Sequence, residues 1–227
     1  MTIEDVKRGL LTAVEDFKSA SAAHRQAFEE TLGTFKTRVS ELETGILQRD
    51  ADATMDALTG LANRGAFDRT VLGLMEMPGA HFTLALLDID RLRRVNEQHG
   101  HLAGDRVLLG VAQALKAAVR DTDLVARYGP DEFAVLMRDL SLRQSESVIY
   151  NAVSAITHQR LTADDGRAVL FTISGGLAEL EGNDTADQIA ARANDALESA
   201  KKRGRNEIVA AHPRPTSSTS DFSRLRH

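Results

Sequence analysis

One stretch constrains this chain more than any other: Arg127-Tyr128-Gly129-Pro130-Asp131-Glu132-Phe133. It lies between two short apolar runs, residues 124–126 and 133–137. Two strand-like runs joined through a Gly-Pro pair read as a β-hairpin. Its tip then presents two carboxylates, Asp131 and Glu132, where a metal or a phosphate can reach them. Pro130 has no N–H and holds φ near about -65°. A type I′ turn needs positive φ at both central residues, so Gly129-Pro130 excludes it; type II′ asks positive φ only of the first, which a glycine supplies. If these two are the central residues, the pair fits a type II′ turn without steric conflict, and the hairpin survives the proline.

Around the hairpin the chain alternates between elements. Residues 81–89 are rich in Leu and Phe without polar alternation, as in a strand buried on both faces. That strand ends in Asp88-Ile89-Asp90, and a carboxylate there has no ordinary packing reason to exist. A helix is expected from Asn63 to about Met75, another over residues 91–98, and a strongly amphipathic one over residues 105–120, with Gly100, His101 and Gly104 punctuating a loop between the last two. Beyond the hairpin come a helix over 142–160 and a strand over 168–180 that Gly175-Gly176 interrupts, as at a bulge. The last helix, 185–202, has a basic final turn and Gly204 at its C-cap, and a strand over 206–211 closes the domain. Helices mixed with a hairpin, rather than strict βαβ alternation, indicate an α+β fold: a central, mostly antiparallel sheet flanked by helices.

This domain is expected over residues 51–212. Residues 1–50 contain no proline and three glycines, and read as helix. Apolar or small residues recur at Ile3, Leu10, Val14, Phe17 and Ser21, then at Phe28, Leu32, Phe35, Val39, Leu42 and Ile46, mostly in steps of three and four. A continuous stalk that dimerises as a coiled coil, a helical hairpin bent near residues 19–23, and an amphipathic helix packed on its own domain all fit; the dimerising helix is the favoured reading. Residues 213–227, rich in Ser, Thr and Pro, read as a disordered tail.

A net charge of -5 argues against binding nucleic acid through an overall positive field. With no cysteine there is neither a disulfide framework nor a thiolate metal site. No apolar run approaches the roughly 18 residues that span a bilayer, and the N-terminus lacks a signal-peptide pattern. A cytoplasmic protein without a membrane segment is expected.

If the strand ending at Asp88 neighbours the hairpin, two or three carboxylates converge at one edge. Close like charges are unfavourable unless a cation lies between them. Hard oxygen ligands without cysteine point to Mg²⁺, and Mg²⁺ with few protein ligands points to a phosphate-bearing substrate. Lys201 and Arg205, expected one helical turn apart, suit phosphate oxygens. Asn96 and Asp105 offer an amide and a carboxylate to a guanine edge. The plain alternative is a set of solvated charges that cap strands and helices.

Several motifs in order resemble the GGDEF family of diguanylate cyclases across residues 56–210. Asp56-Ala57-Leu58-Thr59-Gly60-Leu61-Ala62-Asn63-Arg64 is similar to its opening motif; Asp88-Ile89-Asp90 with Asn96, Gly100-His101 and Gly104-Asp105 to its central block; Lys201 to Asn206 to its closing one. The hairpin resembles its signature, with Pro130 where the family has its second glycine. Glu198 stands where the family often has tyrosine. The resemblance implies a nucleotide-cyclase, palm-like fold and the condensation of two GTP molecules into cyclic di-GMP. It implies that Asp88, Asp131 and the Ile89 carbonyl hold Mg²⁺ (or Mn²⁺), supported by Glu132, with Asp131 and Glu132 as the catalytic carboxylates. It implies that Asn96 and Asp105 recognise guanine, that Gly129, Lys201 and Arg205 complete the substrate site, and that Arg120 and Asp123 form an inhibitory product site. Each domain then binds one GTP, so a homodimer set by the N-terminal helix is expected. Pro130 predicts a weakened enzyme. A non-catalytic domain that binds GTP or cyclic di-GMP and signals to a protein partner is the second reading.

Overall fold

The computed structural model describes residues 54–158, 161–163, 166–182 and 184–211, and before them residues 33 and 36. The chain divides into two compact units, Met1–Ala53 and Thr54–His227. In the first, Gly33 and Lys36 are described, both helical and exposed. The expected seam over residues 3–46, with the choice between stalk and hairpin, lies outside the described residues, as does the tail at 213–227. Among the described residues no helix is long and apolar enough to cross a membrane.

The second unit runs β1 (Ala62–Asn63), α1 (Arg64–Met75), β2 (Phe82–Asp90), α2 (Leu92–His99), α3 (His101–Ala118), β3 (Leu124–Arg127), β4 (Glu132–Arg138), α4 (Leu142–Thr157), β5 (Thr172–Glu179), α5 (Ala186–Lys202) and β6 (Ile208–Ala210). The strands form one sheet in the order β1-β3-β4-β2-β5-β6. The inner pairs β3–β4, β4–β2 and β2–β5 are antiparallel, and the edge pairs β1–β3 and β5–β6 are parallel. This is the expected α+β class with a mostly antiparallel sheet.

The unbroken apolar character of β2 follows from its place at the centre. Successive side chains of a strand alternate between faces. Ala85, Leu87 and Ile89 join Val107, Val111 and Leu115 of α3 and Ile149 of α4 in one core. Phe82 and Leu84 join Phe67 and Val71 of α1 and Ile189 and Ala193 of α5 in the other. By the same alternation Asp88 emerges on the α1/α5 face.

Two sequence expectations need correction here. There is no bulge in β5: Gly175 and Gly176 pair in continuous register with Leu87 and Leu86. The glycines serve a close approach instead. A Cβ on Gly176 would stand 2.1 Å from the Ala193 carbonyl oxygen and 2.2 Å from the Leu197 nitrogen, so α5 rides directly on the strand. Nor is there a loop over residues 100–104. Gly100, at φ 82°, alone separates α2 from α3, and Gly104 lies inside the helix.

Candidate functional site

The hairpin brings its carboxylates beside Asp88, but through a different tip from the expected one. Arg127 pairs with Phe133, and the Glu132 carbonyl accepts from the amides of Tyr128 (2.8 Å) and Gly129 (3.2 Å). The loop is therefore longer than two residues, and Gly129 is not among the positive-φ glycines, so the type II′ turn is absent. A wider loop turns the chain without a left-handed residue. Gly129 is small for another reason: a Cβ there would lie 2.5 Å from Glu132 Oε2.

The β2–β4 register sets Asp88 directly opposite Glu132, and the Ile89 amide donates to the Asp131 carbonyl at 3.0 Å. The tip is tied down from a third element. Arg127 meets Asp56 at 3.2 Å and donates to the Pro130 carbonyl at 2.8 Å. Burial pushes the Asp56 carboxyl up, but the side-chain and backbone hydrogen bonds of Thr59, with Arg127, outweigh it and hold the group below its ordinary value. Sequence reasoning did not assign this clamp, although Asp56 and Arg127 both sit inside motifs it singled out.

Lys201, on the last turn of α5, lies 3.0 Å from Asp88 Oδ2. Burial raises the Asp88 carboxyl's pKa, Lys201 pulls it down, and Asp131 and Asp90 push it up again, leaving it above the ordinary range. Among the described residues no group of three or more His, Asp or Glu is arranged to hold a metal ion. The edge offers Asp88, Asp131 and the adjacent carbonyl of Ile89, a sparse, hard oxygen set that fits Mg²⁺ completed by water and phosphate. The third carboxylate, Glu132, pairs opposite Asp88 and lies over Gly129.

Asp90 is a residue that sequence reasoning passed over. Buried, it accepts from Thr172 Oγ1 at 2.7 Å, Ser174 Oγ at 2.8 Å and the Asn206 amide at 3.2 Å. It also faces Arg205 Nε at 3.7 Å. Arg205 is not one turn further along α5. The helix ends at Lys202 with Arg203 as its C-cap, Gly204 follows at φ 122°, and the Arg205 amide returns to the Ala200 carbonyl at 3.0 Å. This is a Schellman-type stop, with the glycine one position past the cap. Arg205 and Asn206 then take φ of 71° and 53°, a turn that Asp90 pins from below. The signal for Asp90 was its spacing of two from Asp88, which puts both on one face.

On the opposite face of the sheet, Leu92, Asn96, His101, Asp105, Arg127, Pro130 and Asp131 line a cleft of about 540 Å³. Asn96 Oδ1 is buried with no hydrogen-bond partner. Gly104 makes room for it, since a Cβ there would stand 1.9 Å from that oxygen. Left-handed Arg91, at φ 57°, turns the chain from β2 into the helix that carries Asn96. An unsatisfied buried acceptor costs about 1–3 kcal/mol.

Arg120 and Asp123 do not form a free charged pair. Asp123 is 6% exposed, and its two carboxylate oxygens accept from the backbone amides of Arg120 and Arg138, each at 3.0 Å. Arg120 itself is exposed.

The family model described as "Diguanylate cyclase, GGDEF domain" matches residues 53–207. The chain belongs to the GGDEF diguanylate cyclase domain family. It is 30% identical over 221 residues to the diguanylate cyclase DgcP of Pseudomonas aeruginosa, covering 93% of this chain and 33% of that protein. It is 31% identical over 214 residues to the diguanylate cyclase VdcA of Vibrio cholerae, covering 92% of this chain and 62% of that one. The chain therefore spans less than two thirds of either relative. Among solved structures, the coiled coil and GGDEF domain of DgcB from Caulobacter crescentus, in complex with c-di-GMP, superposes with a TM-score of 0.68 at 30% identity, covering 81% of this chain and 99% of that one. Diguanylate cyclase SiaD of Pseudomonas aeruginosa, in complex with its activator SiaC, gives 0.66 at 27% identity, covering 92% and 83%.

Proposed function

We propose that this domain condenses two GTP molecules into cyclic di-GMP and pyrophosphate. The observation that carries the reading is the buried, unpartnered Asn96 Oδ1, in one cleft with Asp105 and the hairpin's Asp131. A guanine edge presents N–H donors, which an amide oxygen and a carboxylate accept; adenine lacks that paired donor set. Asn96 and Asp105 thus orient the base, and the cleft runs from them to the hairpin tip. Lys201 and Arg205 hold the triphosphate, and Gly129 leaves room at the tip. Asp88, Asp131 and the Ile89 carbonyl would hold Mg²⁺ or Mn²⁺, with Glu132 in support; when bound, the ion stabilises charge on the phosphates and lowers the pKa of the attacking hydroxyl. In the reaction the 3′-hydroxyl of one GTP loses its proton and attacks the α-phosphorus of the other, whose bond to pyrophosphate breaks. Repetition in the other direction closes the ring. Each domain binds one GTP, so two must face each other; a homodimer through the N-terminal segment serves this, and Arg120 with Asp123 binds product as an inhibitor. The similarity to DgcB, a coiled coil and GGDEF domain in complex with c-di-GMP, supports both expectations.

A second reading rests on Pro130 and Glu198: an impaired domain that binds GTP or cyclic di-GMP and signals to a protein partner, as the SiaD–SiaC complex pairs a cyclase with an activator. One experiment separates the two. Purified full chain is incubated with GTP and Mg²⁺ beside Asp131→Ala, and cyclic di-GMP is quantified. Product from the wild type alone supports the cyclase. No product at high protein concentration, with cyclic di-GMP still bound, supports the second reading.

A further inference from the structure

Lys201 stands between two carboxylates of unequal exposure. Its Nζ is 3.0 Å from Asp88 Oδ2, whose side chain is 15% exposed, and 3.4 Å from Glu198 Oε1, whose side chain is 45% exposed. Glu198 lies three residues upstream on the same helix, so the ammonium is within ion-pair distance of both carboxylates at once. We propose that Lys201 is the resident counter-ion of Asp88 and is handed to Glu198 when a divalent cation takes Asp88, which makes Glu198 a positioning residue for metal entry. This rests on the reading of Asp88 as a metal ligand.

The geometry requires some such exchange. Asp88 Oδ2 cannot keep an ammonium at 3.0 Å and also accept a divalent ion without strong repulsion between the two cations. Lys201 cannot retreat inward, because Ala200 and Leu197 on its helix are packed in the core. Glu198 is the anion within reach on the solvent side, and it keeps Lys201 at the mouth of the site, ready for phosphate. In its absence the metal must displace a lysine that has no anionic refuge.

The test is Mn²⁺ binding to the full chain without nucleotide, read from the electron paramagnetic resonance of free Mn²⁺. Wild type, Glu198→Gln, Lys201→Met, the double variant and Asp88→Asn are compared. Lys201→Met is expected to bind Mn²⁺ more tightly, and Glu198→Gln more weakly, by about tenfold, an ordinary coupling for contacting charges. The deciding comparison is the cycle. Once Lys201 is gone, Glu198→Gln is expected to have little further effect. If Glu198→Gln weakens Mn²⁺ equally in both backgrounds, Glu198 acts only as a distant charge and the hand-over is overturned; Lys201→Met binding no tighter than wild type overturns it too. Binding unchanged by Asp88→Asn would instead remove the metal assignment beneath it, so the two failures are told apart.

Discussion

Arg127 reaches Asp56 at 3.2 Å, joining the segment that enters the domain to the hairpin that carries Asp131. The same guanidinium holds the Pro130 carbonyl, so one side chain fixes both ends. Asp56→Asn removes the charge and weakens both links, with an expected loss of about 1.5–3 kcal/mol in urea unfolding at neutral pH, the scale for hydrogen bonds to charged groups. The sign of its pH dependence follows from the lowered carboxyl. The unfolded chain binds the proton more readily, so stability rises with pH across this titration. The wild type's advantage over Asp56→Asn should be full above the ordinary value of 3.8 and should vanish as pH falls through the lower folded value. An advantage that shrinks instead between pH ~7 and ~5 would assign it to another group.

Gly104 and Asn96 make a second dependent pair. A Cβ at 104 would sit 1.9 Å from Asn96 Oδ1, so Gly104→Ala forces that amide out of position. The displaced atom ends a side chain, and alanine favours a helix by about 1 kcal/mol over glycine, so the fold should survive with little change in thermal midpoint. GTP affinity, measured by calorimetry, should fall about tenfold or more if Asn96 is the guanine acceptor. Unchanged affinity would remove Asn96 from the base site.

How legible was this in the sequence? The centre of the sheet was open to reading, because a strand buried on both faces leaves an unbroken apolar run such as the one before Asp88. Asp88 itself stood out as a carboxylate where packing asks for none. Asp90 looks the same in sequence yet does opposite work, since its partners Thr172, Ser174 and Asn206 lie 82 to 116 residues away. Glycine was misread twice for one reason: Gly104 and Gly176 signal breaks locally, but in the fold they admit an amide and a helix. The hairpin tip was misread because turn type depends on loop length, which the register decides and the letters Gly129-Pro130 do not.

Gly176→Ala should show how little room α5 leaves. The methyl would meet the Ala193 carbonyl and the Leu197 nitrogen, both helix backbone, which cannot rotate aside. Overpacking of this kind costs about 1–3 kcal/mol or more. Because α5 carries Lys201, its displacement should also raise the KM for GTP. A stable variant with unchanged KM would show that the helix can lift without disturbing the site.

Arg120 and Asp123 separate by their roles in the fold. Exposed Arg120 can be removed cheaply, so Arg120→Ala should keep the thermal midpoint within a degree or two of wild type, as surface changes usually do, while relieving inhibition by added cyclic di-GMP. Asp123→Ala strands two backbone amides and should lose about 2 kcal/mol or more. Inhibition that persists in Arg120→Ala would detach product control from this turn.

Pro130 is the departure that bears most directly on activity, and its surroundings say what a glycine there would change. Its carbonyl is held by Arg127, and a main-chain carbonyl survives substitution, so Pro130→Gly keeps that tie. The variant gains an N–H at the wall of the cleft, beside Asp131. It also gains freedom in the unfolded chain, which should lower stability by about 0.4–1 kcal/mol. These two effects move different measurements. If the proline acts as a brake by withholding a donor from the nucleotide, Pro130→Gly should raise cyclic di-GMP formation several-fold while lowering the urea midpoint slightly. A fall in both would show that the rigid tip holds Asp131 in place and that the proline supports the site.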